Sequence, residues 1–199
     1  MNDQYYTSAP VSQSNEKTFE LDFGGSSYRF VTDNGVFSKG ELDDGTRILL
    51  EALPEMDGRL LDLGCGWGPV GVILGKKYPE CEILMADVNE RAVELSRKNL
   101  ALNSIANAEA LQSDIYENVC GTFDFIITNP PIRAGKQVIY RMFDEARGLM
   151  NPGGKLYIVI RKQQGAPSAL KHLQETWRSA EVTGKEKSFW VIACSDTEQ

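Results

Sequence analysis

Histidine and paired cysteine are what these 199 residues have least of. There is one histidine, and the four cysteines, Cys65, Cys81, Cys120 and Cys194, lie far apart with no Cys-x-x-Cys pair. That spacing argues against both a zinc site and a disulfide framework, and one imidazole does not make a histidine metal centre, so no metal is expected. No apolar run approaches the roughly 18–20 residues that a membrane-spanning helix needs. The stretch from Met1 to Ser14 is polar and lacks the apolar segment of a signal peptide. Together these absences point to a cytoplasmic protein with no membrane partner.

Positive charge is scarce as well, with 21 Lys and Arg against 28 Asp and Glu, a net charge of −7. Taken as a sum, this is wrong for a nucleic-acid binder, but the distribution is uneven. Residues 1–128 hold 10 basic against 21 acidic side chains, whereas residues 129–187 hold 11 against 5. The basic segment reads either as a surface that meets an anionic substrate or as solvated helix faces. The apolar share of 42% and charged share of 25% are those of an ordinary globular protein. The length suits one domain with its own core.

Residues 1–17 form a polar tail, leaving 18–199 as the single domain. Phe19, Leu21 and Phe23, then Tyr28 and Phe30, alternate around Gly24-Gly25 and predict a β-hairpin. Residues Asp43 to Leu53 carry apolar side chains at helical spacing, with Asp43-Asp44 in the first turn. From there short apolar runs alternate with helical patterns. The runs are Arg59–Leu63, Glu82–Asp87, Ala108–Gln112, Phe123–Thr128 and Lys155–Ile160; the helices are Pro69–Tyr78, Glu90–Leu102, Lys136–Leu149 and Pro167–Ala180. This rhythm predicts an α/β protein, a parallel sheet with helices on both faces. The end differs: Glu181–Thr183 and Ser188–Cys194, joined by Gly184-Lys185-Glu186-Lys187, read as an antiparallel hairpin.

The strongest local signal is Asp62-Leu63-Gly64-Cys65-Gly66-Trp67-Gly68-Pro69, a buried strand running into a glycine-rich turn and a helix start. Glycines there admit positive φ and close approach of a ligand to the backbone. A dinucleotide fingerprint needs G-x-G-x-x-G, but the position for its third glycine is Pro69. The pattern is instead acid-x-G-x-G-x-G. Asp62 beside the loop suits the ammonium and sulfonium of S-adenosylmethionine and would repel a pyrophosphate; it reads alternatively as a turn-stabilising carboxylate. Asp87 ends the next strand 19 residues beyond Gly68, where a carboxylate can accept both ribose hydroxyls. Val88 and Asn89 follow it. The third strand ends at Ser113-Asp114, placed either to read an adenine edge or to cap the following turn.

The fourth strand ends Asn129-Pro130-Pro131-Ile132. Two prolines stop the ladder and remove two backbone donors. The Asn129 side chain and the Pro130 carbonyl are then free to accept from a planar NH2 group and aim its lone pair at a methyl donor. Methyl transfer is a one-step in-line displacement, so such positioning can supply roughly 7–11 kcal/mol of barrier reduction without a covalent intermediate.

With the glycine loop, Asp87 and the Asn-Pro-Pro turn in place, the chain resembles class I S-adenosylmethionine-dependent methyltransferases. Within them it is most similar to the methyltransferase small domain group, which includes the RsmC-like 16S rRNA guanine-N2 methyltransferases. The likeness extends to Asp33–Ser38, Leu42–Thr46, Asn129–Lys136 and Arg161–Ala166. It implies a Rossmann-like, seven-stranded, mostly parallel sheet of order 3-2-1-4-5-7-6 with the last strand antiparallel. It also implies that Gly64, Gly66 and Asp87 bind the cofactor, with S-adenosylhomocysteine as product; Asp62, Cys65, Gly68, Val88, Asn89, Ser113, Asp114 and Asn129 complete the candidate cofactor site. Residues Asn129 to Ile132 would hold the target amine. Ile132 stands where the family usually has an aromatic to stack on a flat target, so stacking would fall to another ring such as Phe37 or Tyr140, both of which read also as core or rim residues. Arg133, Lys136, Arg161 and Lys162 lie where an RNA backbone would pass, although they also read as helix-terminal surface charges. The implied substrate is 16S rRNA or the 30S subunit. Glutamine N5-methylation of a protein, DNA adenine methylation and a non-catalytic cofactor-binding domain are the competing readings. Carbon-5 pyrimidine methylation is disfavoured because no Pro-Cys occurs.

Overall fold

The computed structural model describes residues 13–34, 36 and 40–196. The alternating aromatics build β1 (Lys17–Phe23), and Gly24 and Gly25, both at positive φ, turn the chain into β2 (Ser26–Thr32). The pair forms its own two-stranded sheet. Phe19 and Phe30 meet Trp67 edge-on, at centroid distances of 5.5 and 4.8 Å, which docks the hairpin beside the glycine loop. Asn99 strengthens this link, since its amide hydrogen-bonds both the backbone of Val31 and the carbonyl of Trp67.

Helix α1 (Asp44–Ala52) follows, with Asp43 as its N-cap rather than in its first turn. The expected alternation then appears: β3 (Arg59–Leu63), α2 (Pro69–Lys77), β4 (Glu82–Asp87), α3 (Glu90–Leu102), β5 (Ala108–Gln112), β6 (Phe123–Thr128), α4 (Lys136–Ala146), β7 (Met150–Arg161), α5 (Ala166–Thr176), β8 (Ser179–Glu186) and β9 (Phe189–Ser195). The main sheet has the order β5-β4-β3-β6-β7-β9-β8, and β9 runs antiparallel to both neighbours. This is the sheet that the resemblance implied.

Central strands are buried on both faces, as parallel sheets demand. Successive residues of β3 divide between two cores: Leu60 joins the side with α1, α2, α3 and the hairpin, Leu61 the side with α4 and α5. Gly71 sets how closely α2 sits on β4. A methyl group there would come within 2.4 Å of Met85 Sδ, so the helix needs glycine to reach the strand.

Several boundaries differ from the sequence reading; β1, for one, takes in Lys17, which closes the expected tail. Strand β7 starts at Met150 because that residue pairs with Phe123, and a bulge absorbs the Asn-Pro-Gly-Gly stretch that reads locally as a turn. After Ala146 the helix α4 tightens into a 3-10 turn, Arg147–Leu149. Helix α5 stops at Thr176 because Trp177 is extended and the chain enters β8. The last hairpin pairs as far as Glu186 with Phe189, so its turn is Lys187-Ser188 and not Gly184–Lys187. Both turn residues have positive φ, 46° and 71°, the requirement of a tight two-residue hairpin that Asn-Gly usually meets. No helix among the described residues is long and apolar enough to cross a membrane.

Candidate active site

Between β3 and β6 the strand order reverses, and outside the carboxyl ends of the strands lies a cavity of about 970 Å³. This switch point is where open α/β sheets bind ligands. One end of the cavity is the glycine loop. Gly64 N and Cys65 N donate to the carbonyl of Ala86 at 2.8 and 3.0 Å, and Ser96 Oγ donates to the Gly66 carbonyl at 2.9 Å, so the loop is strapped to β4 and α3. Gly64 and Gly66 have φ of 74° and 59°, and a Cβ on either would meet nothing within 4 Å. The loop backbone is therefore bare toward open space, as a cradle for a ligand must be. Gly68 behaves differently. A Cβ there would come within 2.7 Å of Met85 Cε, so this glycine serves packing against β4 and α3 and does not line the cavity.

Two carboxylates stand behind the loop. Asp87 Oδ2 accepts from Gly66 N and Oδ1 from Asn89 N, both at 2.9 Å. Burial nevertheless pushes its carboxyl up to about 6. Asp62 Oδ2 accepts from Gly71 N at 3.1 Å, in the first turn of α2, whose own cap residue Gly68 has no side chain to offer. Its burial, with Asp87 nearby, raises its carboxyl to about 7. Asp62 thus braces the start of α2 and also lines the cavity. A cation or hydroxyl donor here would relieve two carboxylates that burial disfavours in charged form. Bare loop and acid pair both fit a ligand such as S-adenosylmethionine.

At the other end stands Asn129. Its Nδ2 donates to Thr46 Oγ1 at 3.0 Å and to Asp43 Oδ1 at 3.3 Å, while Thr46 Oγ1 donates to Asp43 Oδ2 at 2.6 Å. Asp43 holds this position because it also caps α1, accepting from Gly45 N and Thr46 N. A carboxylate only accepts, so the amide NH2 must face it and the amide oxygen is left for the cavity. Pro130, Pro131 and Ile132 complete the wall beside it.

Residues 27–193 match the model of the family described as methyltransferase small domain. The chain belongs to that family. Among relatives of this methyltransferase, YbxB of Bacillus subtilis is 43% identical over 196 residues, 96% of this chain and 98% of that protein. Ribosomal RNA small subunit methyltransferase C of Pasteurella multocida is 44% identical over 130 residues, 63% of this chain but 39% of its own length. The solved structure of the T. thermophilus 16S rRNA N2 G1207 methyltransferase RsmC, in complex with AdoMet and guanosine, superposes with a TM-score of 0.83 at 26% identity, covering 94% of this chain and 52% of that one. The chain thus spans about half or less of these two rRNA methyltransferases.

Within this small-domain methyltransferase the cavity gathers Asp62, Gly64, Cys65, Gly66, Asp87, Val88, Ser113, Asp114, Asn129 to Arg133 and Arg161. Asn89 is not among its lining residues; fully buried, it caps α3 by accepting from Arg91 N and Ala92 N. Ser113 Oγ is occupied by Asn118 N at 3.0 Å, so it braces the turn as well as lining the cavity. Asp114 is exposed at the wall, where its backbone carbonyl accepts from Glu117 N. Lys136 and Tyr140 line a smaller cavity of about 180 Å³ instead. There the Tyr140 ring stacks on His172, with centroids 4.0 Å apart, and has Lys136 Nζ 4.8 Å from its centroid, in a cavity that Asn129 does not line. Lys162 is exposed outside both cavities. Phe37 lies outside the described residues.

Sequence reasoning missed Asp43 and Thr46, Ile115 and Phe189. Ile115 lines the cavity with a φ of 52°, a left-handed conformation unusual for a β-branched residue. Nothing in the local sequence marks it. Asp43 reads from the sequence as a helix-start residue and Leu42–Thr46 as a family likeness, although Asp followed three residues later by a hydroxyl is a legible cap.

Proposed function

We propose that this chain is an S-adenosylmethionine-dependent N-methyltransferase that modifies an exocyclic base amine, guanine N2 of 16S rRNA, as naked RNA or in the 30S subunit. The observation that carries the reading is the locked amide of Asn129, which offers an acceptor oxygen to a cavity whose other end is a bare glycine loop. Family membership and the likeness to rRNA methyltransferases support it. Residues 18–199 act as one unit in this reading, and the protein works in the cytoplasm.

Gly64, Cys65 and Gly66 would cradle the cofactor, Asp87 would accept from its ribose hydroxyls, Asp62 would face its cationic groups, and Val88, Ser113 and Asp114 would hold its base. When bound, it supplies a methyl group made electrophilic by its sulfonium. Asn129 Oδ1 and the Pro130 carbonyl accept the two N–H groups of the target, turning the nitrogen lone pair toward that methyl. As the bond to nitrogen forms, the methyl's bond to sulfur would break, the neutral thioether would leave as S-adenosylhomocysteine, and one N–H proton would pass to solvent; two fixed acceptors would stabilise the positive charge growing on nitrogen by a few kcal/mol, on the order of one oxyanion-hole donor with the sign reversed. Pro130 and Pro131 have no N–H to compete for those acceptors. Asp43 and Thr46 keep the amide from flipping, which would otherwise present donors to a donor. Arg133 and Arg161 at the rim attract the RNA.

Incubation with tritiated S-adenosylmethionine and, separately, rRNA, 30S subunits, tRNA and release factor tests this. Label in rRNA or 30S subunits that maps to a guanine amine is expected. Label confined to release factor moves the assignment to glutamine, and absence of label from every substrate removes the proposed activity.

A further inference from the structure

Ile132 provides no aromatic at position 132 to hold a flat target, and Tyr140 lines the small cavity, not the one that Asn129 lines. A different pair of residues stands at the required place. Arg161 ends β7 and is the register partner of Phe189, the first residue of β9. Its guanidinium carbon sits over the Phe189 ring, 4.6 Å from the centroid. Phe189 is only 7% exposed. A methyl group on Gly45 would lie 2.9 Å from Phe189 Cε1 and 3.3 Å from Asn129 Nδ2, so the ring and the amide flank the same turn of α1.

Arg161 itself is exposed and lines the cavity together with Asn129, Pro130, Pro131 and Ile132; its side chain makes no direct salt bridge or hydrogen bond among the described residues, and its charge reaches only Asp44 at longer range. Four other arginines are held by carboxylates: Arg47 by Glu51 and Glu186, Arg59 by Glu82, Arg141 by Glu145, Arg147 by Asp196. A planar guanidinium held against an aromatic ring keeps its second face for another flat group. Nucleobases stack on guanidinium planes as they do on aromatic rings.

We propose that Arg161, seated on Phe189, is the stacking platform for the target purine, in place of an aromatic at position 132. The proposal rests on the reading of this site as that of a base-amine methyltransferase. Phe189 makes the platform rigid, α1 fixes its distance from Asn129, and the base slides over the guanidinium until its amine reaches the Asn129 oxygen.

Charge alone and a flat cation predict different behaviour, and free guanosine separates them because it carries no phosphate. Guanosine binding to the full chain saturated with S-adenosylhomocysteine is measured by calorimetry, beside kcat and KM for the RNA substrate. Arg161→Lys keeps the charge and loses the plane; it is expected to weaken guanosine binding about tenfold or more, within the range that loss of one stacking partner produces. Arg161→Trp keeps a plane and loses the charge; it should bind guanosine better than Arg161→Ala. Cofactor affinity and melting temperature report whether each variant folds. Guanosine affinity of Arg161→Lys equal to wild type, or of Arg161→Trp no better than Arg161→Ala, overturns the platform while leaving the methyltransferase reading intact. A wild-type protein that neither binds guanosine nor labels RNA overturns both.

Discussion

The amide nitrogen of Asn129 donates to the hydroxyl of Thr46 across 83 positions of chain, at 3.0 Å. The bond joins the turn after β6 to the first turn of α1, and Asp43 anchors both by accepting from the Asn129 amide and from the Thr46 hydroxyl. A helix cap thereby decides which end of an amide faces the cavity. Asp43 and Thr46 act through Asn129, as positioning residues.

Thr46→Val removes the hydroxyl with little change of shape. Turnover should fall about 10- to 100-fold, the scale of a modest misplacement of a reacting group. Cofactor affinity by calorimetry should stay within about twofold, and Thr46→Ser should restore turnover. An undiminished kcat for Thr46→Val would show that the bond does not orient the amide. Asp43→Asn should resemble Thr46→Val in kcat, since an Asn at 43 can donate and so lets the Asn129 amide reverse.

The two ends of the cavity should separate in kinetics. Asn129→Ala is expected to abolish transfer while binding cofactor nearly as well as wild type. Asp87→Ala should weaken cofactor binding at least about tenfold, because it also frees Gly66 N and Asn89 N from their shared anchor. Calorimetry and single-turnover assays on both variants check the separation; equal loss of cofactor affinity in the two would refute it.

Asp62 and Asp87 should make the protein sensitive to pH. Their carboxyls are raised to about 7 and about 6, so the folded chain without ligand binds more protons than the unfolded chain from the ordinary carboxylate range upward. Its stability should therefore fall as pH rises from about 4 through about 7. A cationic, hydroxyl-bearing ligand favours the ionised forms, so its binding should release protons and tighten over the same window, by up to about tenfold per pH unit for one proton. Calorimetry in buffers of different ionisation enthalpy reads the proton count directly. Asp62→Asn should reduce it; an unchanged count would remove Asp62 from the linkage.

Gly71→Ala tests the seat of α2 on β4. Crowding against Met85 should cost about 1–3 kcal/mol, seen as a lower melting temperature. In a double-mutant cycle with Met85→Ala the two losses should add to less than their sum. Full additivity would show that Met85 is not what Gly71 makes room for.

Much of the architecture was legible because it is written in short-range pattern. The apolar runs Arg59–Leu63 and Phe123–Thr128 are too short and too continuous for helices, and each reappears with the same limits as a strand buried on both faces. The acid-glycine loop and the Asn-Pro-Pro turn announced themselves through residues with special backbone requirements. Where the reading slipped, a distant partner overrode the local signal. Asn-Pro-Gly-Gly reads as a turn but is drawn into β7 by Phe123, and Lys187-Ser188 makes a tight turn because the Glu186 and Phe189 pairing leaves only two residues to close it.

The sequence by itself determined the order of elements, the fold class and the two loops that bound the cavity, since periodicity, glycine and proline act within a few residues of where they stand. Only the tertiary structure decided how Asn129 is oriented, that Asn89 serves as a cap, and that Arg161 rests on Phe189 beside the Asn-Pro-Pro turn. Those relationships depend on how α1 and the β7–β9 pair lie across the ends of the sheet. Hydrogen bonds and ring contacts act over a few ångströms of space, and no spacing along the chain encodes which residues the packing will bring that close.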